Sequence, residues 1–152
     1  LLGFIGDEKR MEPAAVSGVI TEAEEIEKLC SGSSLYIVCT GDAFRTLPQG
    51  RYRSRRIGEF SAPGIAGECL YDISDSDPYA LIKLKEQFSA EFAKAVSLFE
   101  SGDFTAARTR FMDIVKYAPD DGAARNYLYL AEHNINSGRR RLTYRIYDGS
   151  EA

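Results

Sequence analysis

Cysteine is scarce in this sequence and histidine nearly absent. The 152 residues hold three cysteines, Cys30, Cys39 and Cys69, none in CxxC spacing, and one histidine, His133. An odd number of cysteines without that spacing argues against a disulfide framework or a zinc site and suits reduced thiols in a cytoplasmic protein. His133 has no second histidine with which to share a metal and no nucleophile beside it. It reads as a surface or partly buried residue near a helix end. No apolar run reaches the roughly 18 residues that a membrane-spanning helix needs. Acidic Asp7 and Glu8 interrupt the opening segment too early for a signal peptide. Nor is there an excess of positive charge. The formal net charge is −4, which removes the electrostatic ground for nucleic-acid or membrane contact. An initiator methionine and a polar lead-in are missing before Leu1-Leu2-Gly3-Phe4-Ile5-Gly6, so an excerpt from a longer polypeptide is expected.

What is present is the composition of a globular protein, 44% hydrophobic and 28% charged, with enough chain for one ordinary core or two small ones sharing an interface. The first segment, 1–74, alternates short strands and helices. Strands are expected over Leu1–Ile5 and Met11–Val16, with a turn at Gly6 to Lys9. Thr21 followed by Glu24 reads as a capping box, and Val19, Ala23, Ile26 and Cys30 follow helical spacing up to a stop at Ser33 and Ser34. Leu35–Cys39 reads as a buried strand, Asp42–Leu47 as a short helix, and Tyr52–Phe60 and Glu68–Ile73 as strands.

A change of character at Asp75-Ser76-Asp77-Pro78 opens a helical segment, 75–138. Asp77 is a natural N-cap and Pro78 a natural first helical residue. Leu81, Leu84, Phe88, Phe92, Ala95 and Phe99 then recur at gaps of three and four, predicting one long helix up to Gly102. A second helix carries Phe104, Ala107, Phe111 and Ile114 and stops before Pro119. A third carries Ala124, Tyr127, Ala131 and Ile135 and stops at Gly138. The tail, 139–152, is basic and then polar, a loose strand or a frayed end.

Other features read blandly. Gly3-x-x-Gly6 lacks the downstream lysine of a phosphate loop and fits a hairpin. Arg51, Arg53 and Arg55 alternate along one face of a strand, which predicts a solvated, aggregation-resistant edge. Glu22, Glu24 and Glu25 are expected in a first helical turn, where negative charge meets exposed N–H groups, and Arg139-Arg140-Arg141 follows a helix end.

Two stretches resemble known families. Gly3-Phe4-Ile5-Gly6-Asp7-Glu8-Lys9-Arg10-Met11 resembles the G-x-I-G-x-x-x-R-M hairpin of bacterial class III adenylate/guanylate cyclases. After the family's fixed spacing, Ile20-Thr21-Glu22-Ala23-Glu24-Glu25-Ile26-Glu27 stands where those enzymes carry V-N-x-A-x-R-L-E, keeping Ala23 and Glu27. The resemblance implies an α+β chain: the C-terminal half of a ferredoxin-like cyclase domain that dimerises head to tail. It also implies lost chemistry. Thr21 occupies the place of the ribose-orienting Asn, Glu25 that of the transition-state Arg, and Ala14 that of the purine reader. The family's phosphate-binding lysine falls near Pro63-Gly64-Ile65, and its metal-binding aspartates belong to the front half of the domain. No catalytic residue, cofactor or metal is therefore expected, with Mg²⁺ or Mn²⁺ relevant only if a longer parent is active.

Ala95, Leu98, Gly102, Phe104, Ala107, Phe111 and Pro119 sit at the spacings of a tetratricopeptide repeat. One repeat and a following helix fall short of the about three that stand alone, so these helices are expected to pack on the first segment or on a partner. The period of the stripe from Phe88 to Phe99 marks core packing, and Phe88, Phe92, Phe99, Phe104, Phe111 and Tyr127 are the candidates for partner contact. A noncatalytic regulatory or dimerisation region follows, as a homodimer or a domain-swapped oligomer. The alternatives are a fragment of an active cyclase and a helical protein-interaction module.

Overall fold

The structure, a computed structural model, describes residues 2–7, 10–15, 18–62 and 65–145. Strands β1 (Leu2–Asp7) and β2 (Arg10–Ala15) pair antiparallel, in register from Leu2↔Ala15 to Asp7↔Arg10. Gly6 and Asp7, expected in the turn, belong to the strand. Helix α1 (Gly18–Ser33) starts three residues before Thr21. Val19 continues the Ala23–Ile26 stripe one turn upstream, so the helix extends over it and Thr21 caps nothing. The acids at 22, 24 and 25 consequently lie beyond the first turn, which carries none.

At its other end α1 closes with Ser34 in the left-handed conformation (φ 54°) and the Leu35 N–H bonded back to Cys30 O at 3.3 Å. This six-to-one closure is the Schellman stop. Leu35 is therefore taken up by the helix end, and the strand expected over 35–39 shortens to β3 (Val38–Thr40). Thr40 then caps α2 (Gly41–Thr46) by accepting from the Ala43 N–H at 3.3 Å. Strands β4 (Ser54–Ala62) and β5 (Ile65–Ile73) complete an antiparallel sheet of order β3-β5-β4.

Four helices follow a 3-10 turn at Ser74–Ser76: α3 (Tyr79–Gln87), α4 (Ser89–Ser101), α5 (Phe104–Tyr117) and α6 (Gly122–Ser137). The fold is thus mixed α+β. The continuous stripe from Leu81 to Phe99 is divided at Phe88 (φ −93°, ψ 9°). No proline or glycine stands there. The break separates Lys85, held toward the sheet, from Phe92, Ala95 and Phe99, which face the other helices. Asp77 does not cap α3 either: Pro78 occupies the cap, and the Asp77 carboxylate takes Lys85 at 2.5 Å instead. The later stops fall as expected, with Gly102 and Gly138 left-handed at the ends of α4 and α6.

One core joins both segments. Leu29, Leu35, Ile57, Phe60 and Leu70 are buried together with Phe92, Phe99, Phe111, Tyr127 and Tyr144. Tyr127 is its hub, stacked on Phe111 at 4.8 Å between centroids and edge-on to Phe99 at 4.9 Å. The tail supplies Tyr144, which bridges Phe60 and donates its N–H to Glu59 O at 2.6 Å. His133 is buried in α6. The α1–α6 approach is close: a Cβ on Gly122 would lie 1.6 Å from Ser33 O.

β4 carries a register shift between Arg56 and Gly58. The irregularity turns the Ile57 carbonyl to the Tyr127 hydroxyl, which donates to it at 3.0 Å. Gly58 sits beside that bond at φ 149°, where an added Cβ would come within 2.2 Å of the Tyr127 oxygen. Gly58→Ala should therefore cost about 2–4 kcal/mol, from backbone strain and overpacking together. Tyr127→Phe should cost about 1–2 kcal/mol through the lost bond. Because the phenol oxygen is the atom struck, the double variant should be more stable than the sum of the two by about 1 kcal/mol. Urea unfolding of the four proteins measures this coupling; strict additivity would refute it.

Candidate functional site

Two places concentrate chemistry or accessible apolar surface. The first is a buried ion cluster between sheet and helices. Arg55 of β4 is 9% exposed and donates Nε to Asp72 of β5 at 3.0 Å and its two terminal nitrogens to Asp121 at 2.7 and 2.5 Å. Its guanidinium lies 4.0 Å from the Phe92 ring centre, a cation–π contact. Lys85 reaches Asp72 at 2.8 Å and Asp77 at 2.5 Å. Asp121 also caps α6 by accepting from the Ala124 N–H at 3.2 Å.

Burial pushes the Asp121 carboxyl up, but Arg55 outweighs it and holds the group below the ordinary carboxylate range. Burial likewise lowers the Arg55 guanidinium, and Asp121 followed by Asp72 more than reverses this. The solvated arginine edge expected from the sequence is thus overturned at Arg55. Arg53 joins Asp75 and Glu86, and Arg56 joins Glu100, in exposed pairs that contribute little. Each cation of the buried cluster is held by two carboxylates. Chemically the cluster is a clamp.

The second place is a groove of about 600 Å³ between α1 and β3. Ala23 and Ile26 form its helix wall, Val38 and Cys39 its strand wall, and Glu22 and Glu27 contribute acids. Tyr36 and Ile37, at 62% and 45% exposure, also line it. Burial pushes the Cys30 and Cys39 thiols up. Both stay protonated near neutral pH and are poor nucleophiles.

The residues singled out from the sequence do not converge on either place. Thr21 is exposed, and Glu25 is ion-paired with Lys28 at 2.6 Å. Helical periodicity turns both away from the groove face of α1. Ala14 pairs with Gly3 in the hairpin; Pro63 and Gly64 lie outside the described residues. The aromatic candidates for partner contact are core residues: Phe92, Phe99, Phe111 and Tyr127 are fully buried, and Phe88 and Phe104 pack partly buried against them. Their burial removes them as a docking surface. Among the described residues no group of three or more His, Cys, Asp or Glu side chains is placed to hold a metal, and no helix is long and apolar enough to cross a membrane.

Neither place is predicted by the sequence alone. The alternation of Arg53 and Arg55 was a usable signal for the cluster, but the buried acids that select Arg55 come from β5 and the start of α6. The groove had a signal in the acid–Ala–x–x–Ile spacing at Glu22, Ala23 and Ile26 followed by apolar Tyr36–Val38. Comparison with protein-family models, with curated proteins and with solved structures finds no match for this chain.

The clamp has a pH signature. A carboxyl held below its unfolded value stabilises the fold above that value and loses the contribution as pH falls through the folded one. Unfolding free energy should accordingly decline from about pH 4 downward. Arg55→Met should cost about 3–5 kcal/mol at neutral pH, by leaving buried acids without their cation. The acid-side decline should also become shallower, since Asp121 no longer gains on ionising in the fold. Urea titrations of both proteins across the acid range test this, and parallel pH curves would contradict it.

Proposed function

We propose that this chain is a noncatalytic regulatory and dimerisation region of an adenylate/guanylate cyclase-like signalling protein of the cytoplasm, its helices forming a tetratricopeptide-like brace. The hairpin and helix spacing of the cyclase family supports the framework. The Glu25–Lys28 ion pair carries the noncatalytic reading. Where the family supplies a cation to the transition state, this chain has a carboxylate already engaged by its neighbour. A missing preorganised donor costs about 10²–10³ in rate. Reversing its sign adds repulsion toward a polyphosphate, roughly 1 kcal/mol at 4 Å in water and about 4 at an effective dielectric near 20.

A second reading, a helical interaction module, is favoured by a different observation. Tyr36, Tyr79 and Tyr117 are all at least 60% exposed, and Tyr36 lines a cavity of about 310 Å³ together with Leu81, Leu84, Pro119 and Arg125. Exposed aromatics beside a cavity suit a protein partner.

Incubation with ATP or GTP and Mg²⁺ or Mn²⁺ should give no cyclic nucleotide above the protein-free rate. Metal-dependent cyclic product from this chain would overturn the noncatalytic reading and restore that of an active cyclase fragment.

A further inference from the structure

We propose that the cavity between α3, the end of α1 and the start of α6 binds a free apolar α-amino acid, with Arg125 taking its carboxylate and Asp120 its ammonium. The proposal goes beyond both readings above and rests on neither.

The cavity encloses about 310 Å³, at the small end of ligand pockets, which run from about 300 to 1,000 Å³. That space suits a single amino acid better than a nucleotide. Leu81 and Leu84, three residues apart on α3 and so on one face, supply apolar wall. Tyr36 stands on the same wall with its ring largely uncovered, leaving apolar surface for a ligand to bury.

Arg125 supplies the cation. Its Nη1 donates to Pro119 O at 3.3 Å and its Nη2 to Ser34 Oγ at 3.2 Å. Both acceptors are neutral, and a guanidinium has five N–H donors. The two bonds fix the group and leave donors for a ligand. Among the described residues no carboxylate pairs with Arg125. By contrast, Arg53, Arg55, Arg56, Arg108 and Arg110 each meet one. A half-buried guanidinium held only by neutral atoms is matched to a carboxylate, which it can take through two parallel bonds.

Asp120 decides which carboxylate. It is exposed, lines the same cavity and has no ion-pair partner among the described residues, so the two charged groups do not pair with each other. The turn that carries it is closed by the Asp121 N–H, which donates to Ala118 O at 3.0 Å. One cation and one carboxylate leave the lining with no net charge. A phosphate or a simple carboxylate would gain from Arg125 and be repelled by Asp120. A zwitterion satisfies both, and Leu81 and Leu84 give its side chain an apolar place.

Calorimetric titration of the full chain with L-leucine and L-phenylalanine tests this, with far-UV circular dichroism as the control for folding. Each should bind with a dissociation constant at or below about 1 mM. Arg125→Met should weaken L-leucine binding about tenfold or more, as should replacing the ligand by L-leucinamide, which lacks the carboxylate. Asp120→Asn should weaken it about two- to fivefold. N-acetyl-L-leucine, which lacks the ammonium, should bind more weakly than L-leucine, and Asp120→Asn should hold it at least as tightly as the wild type does. Should Arg125→Met lose its secondary structure, Ala80→Phe decides the matter. It fills the cavity from an exposed helix position and should abolish binding. Failure of both amino acids to bind at about 10 mM overturns the proposal. So does binding indifferent to Arg125→Met and Ala80→Phe. N-acetyl-L-leucine binding as tightly as L-leucine overturns the free amino acid and points instead to the last residue of a protein partner.

Discussion

The Arg55 guanidinium, buried between a carboxylate on the sheet and another at the start of a helix, is the constraint to which the other elements conform. It fixes β4 against β5 through Asp72 and the sheet against α6 through Asp121, and it rests on Phe92 of α4. Buried ion pairs are weak sources of net stability, because desolvation cancels most of the attraction. Their leverage lies in what they forbid. Any packing that parts Arg55 from Asp121 strands two charges away from water, and it also removes the cap of α6. The single carboxylate at 121 thus ties helix initiation to helix placement. Lys85, which draws Asp72 and Asp77 together, extends the constraint to α3. The break at Phe88 then lets α3 follow the ions while α4 follows the aromatic core.

The sequence was legible where local rules decide. Glycine at 102 and 138 marks two helix ends, the apolar period of α5 and α6 marks their buried faces, and the hairpin strands fall within a residue or two of expectation. It was illegible where distant groups compete with local ones. Asp77 is an excellent cap in isolation, but an ammonium eight residues on captures its carboxylate more strongly than a backbone amide does. Thr21 and Glu24 make a sound capping box, yet the apolar stripe continues above them and the helix follows the stripe. Arg55 alternates with Arg53 and Arg51 as a solvated edge would; only β5 and the start of α6, arriving from elsewhere in the chain, make it the one that is buried. Leu35 has the chemistry of a strand residue and is used to stop a helix. The groove eluded the sequence for a related reason: its walls come from two elements whose spacing depends on where that stop falls.

The sheet treats its two borders unequally. One is sealed by the tail through Tyr144, whose ring also enters the central aromatic cluster at 4.8 Å from Tyr127. Sealing and core formation are therefore one event on that side. The opposite border has neither a covering strand among the described residues nor a charged side chain on β3, which is Val38-Cys39-Thr40. β3 carries no lysine, proline or bulge, but it is only three residues long and its Val38 N–H meets the Cys30 thiol of α1, so shortness and a bordering helix protect this edge.

The geometry of α1 keeps two questions apart. At about 100° per residue, Glu22, Ala23, Ile26, Glu27 and Cys30 lie on the groove side, while Thr21, Glu25 and Lys28 lie opposite. The Glu25–Lys28 ion pair and the groove wall therefore lie on different faces of the same helix. A change of charge on one face places no demand on the packing of the other. Conversely, a carboxylate at 25 is tolerated because its partner, Lys28, stands one turn along on the same solvent-facing side. A helix built this way keeps its packing and groove-lining residues however the charges on its solvent-facing side vary.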